Sequence, residues 1–309
     1  MAADARGHNV WRRLGYRLLP GDTFSYILHM RPAEWPIMAA HTALGWVLAV
    51  GLQGALEGQK LTEAAGALLL WVVFLNGGTL AINSVFDQDD GDIGYLRAPP
   101  RPPRYLLGFS LVLLVSGQVL ALALPTGFVI AYAICFAMSL AYSVPPLRLK
   151  AVGGADWVIN MWGFGTLTPY ATWAATGRPL DLEAALVLFG FCPLFASLYP
   201  LTQLYQFEED TRRGDRTLAI ILGMRRSLVV ALACALLAFA CFAWAAALAS
   251  VAWWQAGAVA LALAAWLGVL IPWLRYHQSW DPARHQRGMY EALAAWAVTD
   301  AAIVAAFAI

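Results

Sequence analysis

Nine apolar stretches follow one another along the chain, and each is long enough to cross about 30 Å of hydrocarbon as a helix. Hydrophobic residues make up 61% of the 309 residues and charged residues only 13%. A soluble domain is roughly 45–50% apolar and 25% charged, and a soluble fold with so little charge has no means of covering its surface. The composition excludes disordered, collagen-like and small disulfide-rich proteins and predicts an all-α, multi-pass membrane protein.

The predicted spans end at glycine, proline or charged residues, as expected where helices leave a bilayer. They cover residues 37–56, 64–86, 105–124, 127–143, 155–176, 182–205, 227–248, 251–276 and 289–309. We therefore expect a nine-helix transmembrane domain of residues 37–309 that follows an N-terminal segment of residues 1–36.

The basic residues predict the orientation of these spans. All of the 20 lysines and arginines except Lys60 and Arg178 fall on one side of the predicted membrane. Because cytoplasmic loops carry an excess of Lys and Arg, we expect this side, with the N-terminus, in the cytoplasm and the C-terminus outside a cytoplasmic membrane. The net charge of +1 gives no bulk attraction to nucleic acid, so we expect membrane lipid as a partner and no nucleic acid.

Two acidic clusters lie on the same predicted side, one after the second span and one after the sixth. In the first, Asn83 and Asp87 share a helix face because they are four residues apart. In the second, Gln206 and Asp210 repeat that spacing. Acidic groups at a helix C-terminus oppose the helix dipole, so polar loop filler is the weaker explanation. Hard oxygen ligands suit Mg²⁺, which favours metal-binding groups on opposing walls of a chamber.

A basic loop follows the fourth span and reads Tyr-Ser-Val-Pro-Pro-Leu-Arg-Leu-Lys over residues 142–150. Arg148 and Lys150 can direct positive charge toward an anion, although they also fit an ordinary cytoplasmic anchor. Metal ions bridging carboxylates to phosphate, with cations taking the remaining charge, are the arrangement for a phosphorylated ligand. In a membrane chamber this indicates a prenyl diphosphate.

These motifs resemble the UbiA superfamily of intramembrane prenyltransferases, nine-helix proteins with two aspartate-rich motifs. The segment Asn-Ser-Val-Phe-Asp at 83–87 resembles the start of the first motif, residues 142–150 resemble the loop YSxPPxRxK, and residues 206–223 resemble the second motif. The chain departs from the family pattern at Ser84, Gly91 and Gln206. Gln206 offers a carbonyl oxygen without charge where the family has Asp.

The resemblance implies an Mg²⁺-dependent transfer of a prenyl group from an allylic prenyl diphosphate to a lipophilic or aromatic acceptor. The metal-binding residues that it implies are Asn83, Asp87, Asp90, Asp92, Gln206 and Asp210. The implied diphosphate-binding residues are Arg31, Arg104, Ser143, Arg148 and Lys150. Asp87, Asp210 and Tyr142 are the catalytic candidates.

Two other functions fit the same sequence. A membrane terpene cyclase of the same fold would quench the carbocation internally, without an acceptor. A channel or transporter would use the clusters as an ion site, but it predicts internal repeats and broken helices. Asp300, deep in the ninth span, is a functional candidate because intramembrane carboxylates are costly. We expect Trp253, Trp254 and Trp273 to lie in the interfacial aromatic belt.

Overall fold

The computed structural model describes residues 10–87, 96, 98–205, 207 and 217–309, and all contacts below belong to these residues. Its long helices follow the apolar stretches. We number the helices in chain order as α1 Val10–Leu18, α2 Thr23–His29, α3 Trp35–Ala55, α4 Gly58–Asp87, α5 Leu106–Ala121, α6 Thr126–Ser143, α7 155–175, α8 Leu182–Leu204, α9 Leu218–Leu222, α10 Met224–Leu248, α11 Trp253–Tyr276 and α12 Pro282–Phe307.

The described part of the chain is all-α, as the composition predicts. A helix lies at each of the nine predicted spans, and seven of these helices are long and apolar enough to cross a membrane. Of the other two, α5 has 16 residues, and α7 is divided by a π-helical segment. Nine crossings therefore stay a prediction, as do the domain limits.

The long helices form a closed ring. Each of them packs against the next long helix along the chain, and α12 returns to pack against α3. Two further contacts, α3 with α7 and α8 with α12, cross between the two halves of the chain. This arrangement leaves one end of α4, α6, α7 and α8 together around a common space.

Two glycines allow the helices around that space to approach closely. A Cβ atom on Gly45 of α3 would lie 1.7 Å from the carbonyl oxygen of Pro169 in α7. A Cβ on Gly165 of α7 would lie 2.5 Å from the carbonyl oxygen of Phe191 in α8. Small residues at helix contacts let backbones approach in membranes, where association depends on packing more than on exclusion of water.

Two helices that face the common space contain π-helical segments, Leu69–Gly77 in α4 and Met161–Leu167 in α7. A π-helix has hydrogen bonds from residue i to i+5, and such segments occur often at functional sites. The wider turn changes which side chains point toward the neighbouring helices. The two segments therefore determine which residues of α4 and α7 reach the interior.

Candidate active site

A cavity of about 420 Å³ lies inside the ring of helices. At one end it is lined by Arg31, Asn83 and Tyr142, and it continues between the helices to Trp71 and Thr168. Most of its wall between these ends is apolar or aromatic. The lining residues of the middle part include Met38, Leu75, Leu80, Met138, Ile159, Phe164, Phe195 and Leu293.

Five polar residues meet at the first end, and we call Asn83, Asp87, Ser143, Arg148 and Lys150 the mouth cluster. The Lys150 ammonium donates to Asn83 Oδ1 at 3.0 Å and pairs with the Asp87 carboxylate. The Ser143 hydroxyl donates to the same Asn83 oxygen at 3.3 Å. Arg148 Nη2 lies 3.8 Å from Asp87 Oδ1. The structure thus brings together five residues that the sequence assigns to one site.

Local structure explains how these residues meet. Asn83 and Asp87 occupy successive turns at the end of α4, and Ser143 is the last residue of α6. The chain then turns through the two prolines, and Lys150 lies in a short 3₁₀ turn, Leu149–Ala151. Arg148, at the start of that turn, has a left-handed backbone with φ of 36°, which a non-glycine residue adopts at a cost of about 1–2 kcal/mol. The loop directs both of its cations at the end of α4.

Positive charge accumulates at the mouth. Burial and the nearby Arg31 guanidinium lower the pKa of Lys150 to about 8, while the Asp87 carboxylate beside it favours the charged ammonium. Arg31 itself lines the cavity and lies 3.7 Å from Glu34. It too has a left-handed backbone, with φ of 51°. An anion that entered here would meet cations from two separate loops.

The mouth also offers oxygen ligands for a divalent cation. Asn83 and Asp87 already converge on one cation, the Lys150 ammonium, and carboxylate and amide oxygens are the donors that Mg²⁺ prefers. The described residues contain no group of three or more His, Cys, Asp or Glu side chains that could hold a metal ion. The other predicted metal-binding residues, Asp90, Asp92, Gln206 and Asp210, lie outside the described residues. Their roles stay predictions.

Two further predicted site residues differ in placement. Tyr142 lines the cavity next to the mouth cluster. Arg104 is exposed, and its guanidinium lies over the ring of Tyr105, 5.2 Å from the centroid. Arg104 is not among the described residues that line the cavity. The described residues show no contact between Arg104 and the mouth cluster, and its role in diphosphate binding stays a prediction.

A carboxylate that the sequence analysis missed lies at the start of α7. Asp156 is only 2% exposed and accepts hydrogen bonds from the Gly154 amide at 2.9 Å, the Tyr199 hydroxyl at 3.1 Å and Gln203 Nε2 at 3.3 Å. Gln203 in turn accepts from the Ala219 amide at 3.0 Å. Asp156 thus braces α8 and α9 against α7, and Tyr199 lines the cavity. An acidic residue near a helix N-terminus is common, so sequence alone gives it no special signal.

The intramembrane Asp300 has a partner that sequence reasoning also missed. His41 Nδ1 lies 3.3 Å from Asp300 Oδ1, and His41 Nε2 lies 3.3 Å from the carbonyl oxygen of Gly165. Pro169 has no N–H to donate to that carbonyl. The His41 ring also packs edge-on against Phe191 and Trp296. The pair joins α3, α7 and α12 below the cavity and is not itself among the residues lining it.

Comparisons with known proteins agree with this architecture. A sequence model described as the UbiA prenyltransferase family matches residues 42–296. Digeranylgeranylglyceryl phosphate synthase of Natronomonas pharaonis is 30% identical over 210 residues, which cover 65% of this chain and 70% of the relative. Lycopene elongase/hydratase of Haloarcula japonica is 25% identical over 237 residues, covering 73% of this chain and 77% of the relative.

Solved structures share the fold at low sequence identity. One, from work on digeranylgeranylglyceryl phosphate synthase in membranes, has a TM-score of 0.70 and 16% identity and covers 91% of this chain and 96% of that chain. A UbiA homologue from Archaeoglobus fulgidus bound to GPP and Mg²⁺ has a TM-score of 0.65 and 19% identity, covering 89% of this chain and 99% of the other. At these identities the likeness establishes the fold alone.

Proposed function

This chain belongs to the UbiA prenyltransferase family, and on that premise we propose that it transfers the prenyl group of an allylic prenyl diphosphate to a lipophilic or aromatic acceptor within the membrane. One observation carries the proposal, namely a charged mouth cluster that is joined through Asn83 to a long apolar cavity. A prenyl diphosphate has the same two parts, a strongly anionic head and a hydrocarbon tail. The relatives' names, a synthase of a prenylated glycerol phosphate and an elongase/hydratase, support prenyl transfer and leave the acceptor open.

The two cations of the mouth cluster and the neighbouring Arg31 bind and stabilise the diphosphate. Lys150, Arg148 and Arg31 face the end of α4 from two loops, and their attraction for the leaving group grows as the carbon–oxygen bond breaks. Interactions that strengthen in the transition state raise the rate rather than only the affinity. The left-handed backbones at Arg31 and Arg148 fix these cations before substrate arrives.

The oxygen ligands of the mouth are suited to Mg²⁺. A homologue from Archaeoglobus fulgidus was solved with DMAPP and Mg²⁺ and another structure of it with GPP and Mg²⁺. We propose that Asn83 and Asp87 hold Mg²⁺ on one wall, with Asp90 or Asp92 beside them and Asp210 and Gln206 on the opposite wall. When bound, Mg²⁺ neutralises the diphosphate and assists its departure.

The apolar part of the cavity protects the reaction from water. Phe164, Tyr199 and Tyr205 line it, and aromatic faces stabilise a nearby cation electrostatically. Exclusion of water prevents hydrolysis of the reactive carbocation before it meets the acceptor. Tyr142 directly precedes Ser143 of the mouth cluster and lines the same cavity, and we assign it to orienting the substrate's first prenyl carbons.

We also propose that the mouth faces the cytoplasm. The asymmetry of the lysines and arginines supports this orientation, and it gives access to soluble prenyl diphosphates. The C-terminus then lies on the outer side of a cytoplasmic membrane.

The proposal is tested with purified protein in lipid nanodiscs, given geranylgeranyl diphosphate and Mg²⁺. Release of diphosphate is measured with and without a lipid extract from the source membranes, and products are identified by mass spectrometry. We expect a prenylated acceptor only with the extract, and we expect Asp87→Asn to lower the rate by at least about 100-fold, as loss of one preorganised electrostatic group does.

Glu63→Gln is the matched control, because Glu63 is an exposed acid on the same helix whose hydrogen bond among the described residues is accepted from Gln59, one turn away. This variant should retain the wild-type rate. A cyclised hydrocarbon or alcohol formed without the extract would instead identify a terpene cyclase. Undiminished turnover by Asp87→Asn would contradict the proposed role of the mouth.

A further inference from the structure

We infer that Trp71 and Thr168 close the deep end of the cavity and set the longest prenyl chain that the protein accepts. This inference rests on the proposed function, because it assigns the apolar part of the cavity to the prenyl tail. It names a specificity-determining pair on α4 and α7 that lies far from the residues binding the diphosphate.

The position of Trp71 in the cavity is the first support. Among the described residues of α4 that line the cavity, Trp71 is farthest from the mouth and Asn83 is nearest. Twelve positions separate them, which corresponds to roughly 15–18 Å of helix, since an α-helix rises 1.5 Å per residue and the π-helical part of this segment rises less. Thr168 is likewise the most distant described lining residue of α7. The cavity therefore ends at these two side chains after crossing about half of a 30 Å hydrocarbon core.

Hydrogen bonds and packing hold the Trp71 indole across the cavity. Its Nε1 donates to Thr168 Oγ1 at 3.2 Å, and that hydroxyl donates to the Gly163 carbonyl at 2.8 Å. Behind the indole, Phe128 and Tyr132 pack edge-on at centroid distances of 5.9 Å and 6.2 Å. Trp71 is 2% exposed. A ring restrained on several sides cannot swing aside easily when a longer chain arrives.

The π-helical segments explain why this pair meets. Trp71 lies in the π segment of α4, and Thr168 directly follows the π segment of α7. The bond from Thr168 to Gly163 spans five residues, the spacing of a π turn. In the middle part of the cavity, Phe164 stacks on Phe195 at 5.4 Å, and Phe195 contacts Trp296 at 5.8 Å. Aromatic rings therefore also line the wall that leads to the Trp71–Thr168 pair.

The test measures affinity for four diphosphates with tails of 10, 15, 20 and 25 carbons in the presence of Mg²⁺, by calorimetry on protein in nanodiscs. We expect affinity to rise with tail length as apolar surface is buried and then to fall by at least tenfold once the tail exceeds the cavity. In Trp71→Leu this fall should move to a tail at least one isoprene unit longer.

A variant that fills the cavity supplies the opposite result. A Cβ added at Gly163, which lines the cavity, would meet nothing nearer on another helix than the Met138 methyl at 3.6 Å, so Gly163→Val adds apolar volume beside another lining residue. We expect it to move the fall in affinity to a tail at least one unit shorter. A melting curve in detergent shows whether Trp71→Leu is folded. If it is not, the length profile of Gly163→Val alone tests the inference.

Opposite shifts in the two variants would support the inference. An unchanged length profile in folded Trp71→Leu would overturn it, because the tail would then leave the cavity elsewhere between the helices. If Trp71→Leu is unfolded, an unchanged profile in Gly163→Val overturns it equally. Failure of the wild type to bind any of the four diphosphates would contradict the proposed function as well. That result differs from an unchanged length profile, which would overturn only the role of Trp71 and Thr168.

Discussion

The mouth and the deep end of the cavity differ in almost every physical property. The mouth is a set of charged and amide groups from the loop after α6 and the end of α4, and its residues other than the buried Ser143 remain at least partly accessible. The deep end is a set of buried rings fixed by two hydrogen bonds. The first arrangement suits charge that changes during a reaction, and the second suits a fixed shape. Under the proposed function, the mouth serves catalysis and the deep end selects the tail.

The mouth should carry the largest effect on rate. We expect Lys150→Met to lower kcat/KM for the prenyl diphosphate by about 100-fold or more, because it removes a preorganised cation that contacts both Asn83 and Asp87. Steady-state kinetics in nanodiscs check this. Lys60→Met is the matched control, since Lys60 is partly exposed and its ion pair among the described residues is with Glu57, one helical turn away. Equal losses in both variants would show a general charge effect instead of a role for the mouth.

The region below the deep end should affect stability more than rate. We expect His41→Leu to remove the contacts of the imidazole with Asp300 and with the Gly165 carbonyl, a loss of about 1–3 kcal/mol. The melting temperature in detergent should fall by roughly 2–8 °C, while affinity for the diphosphate stays within about twofold of wild type. Asp300→Asn, which keeps a hydrogen-bonding oxygen, should lose less. A large loss of diphosphate affinity with an unchanged melting temperature would break the separation between the two ends.

The mouth was predictable from sequence because its signals are local. Asn83 and Asp87 are four residues apart on one helix, and Ser143 and Lys150 flank a double proline that ends the preceding helix. Helix periodicity and loop charge are sufficient to place such groups on one side of the membrane. The contact between Lys150 and Asn83 is visible only in the tertiary structure. The assignment of both residues to one site required only their positions in the chain. Arg104 lies over the ring of Tyr105, and its role in diphosphate binding stays a prediction.

The deep end was not predictable in the same way. The π-helical segments of α4 and α7 rotate Trp71 and Thr168 away from the directions that a regular 3.6-residue repeat predicts. No pattern in the local sequence indicates a π-helical segment. The prediction that Trp273 lies in the interfacial aromatic belt is wrong for a similar reason. It is 0% exposed, donates to His285 Nδ1 at 2.8 Å and stacks on Trp280. A tryptophan near a helix end is compatible with either the belt or the core, and only packing decides.

Diphosphate binding at the mouth is tested most directly with a substrate analogue that binds without reacting. Calorimetric titration of the wild-type protein with geranylgeranyl thiolodiphosphate, with Mg²⁺ and then with excess EDTA, measures whether the mouth binds the head group through cations. We expect tight binding with Mg²⁺, at least tenfold weaker binding with EDTA, and a similar loss in Asp87→Asn with Mg²⁺ present. Equal affinity under all three conditions would contradict the assignment of Asn83, Asp87 and Lys150 to diphosphate binding.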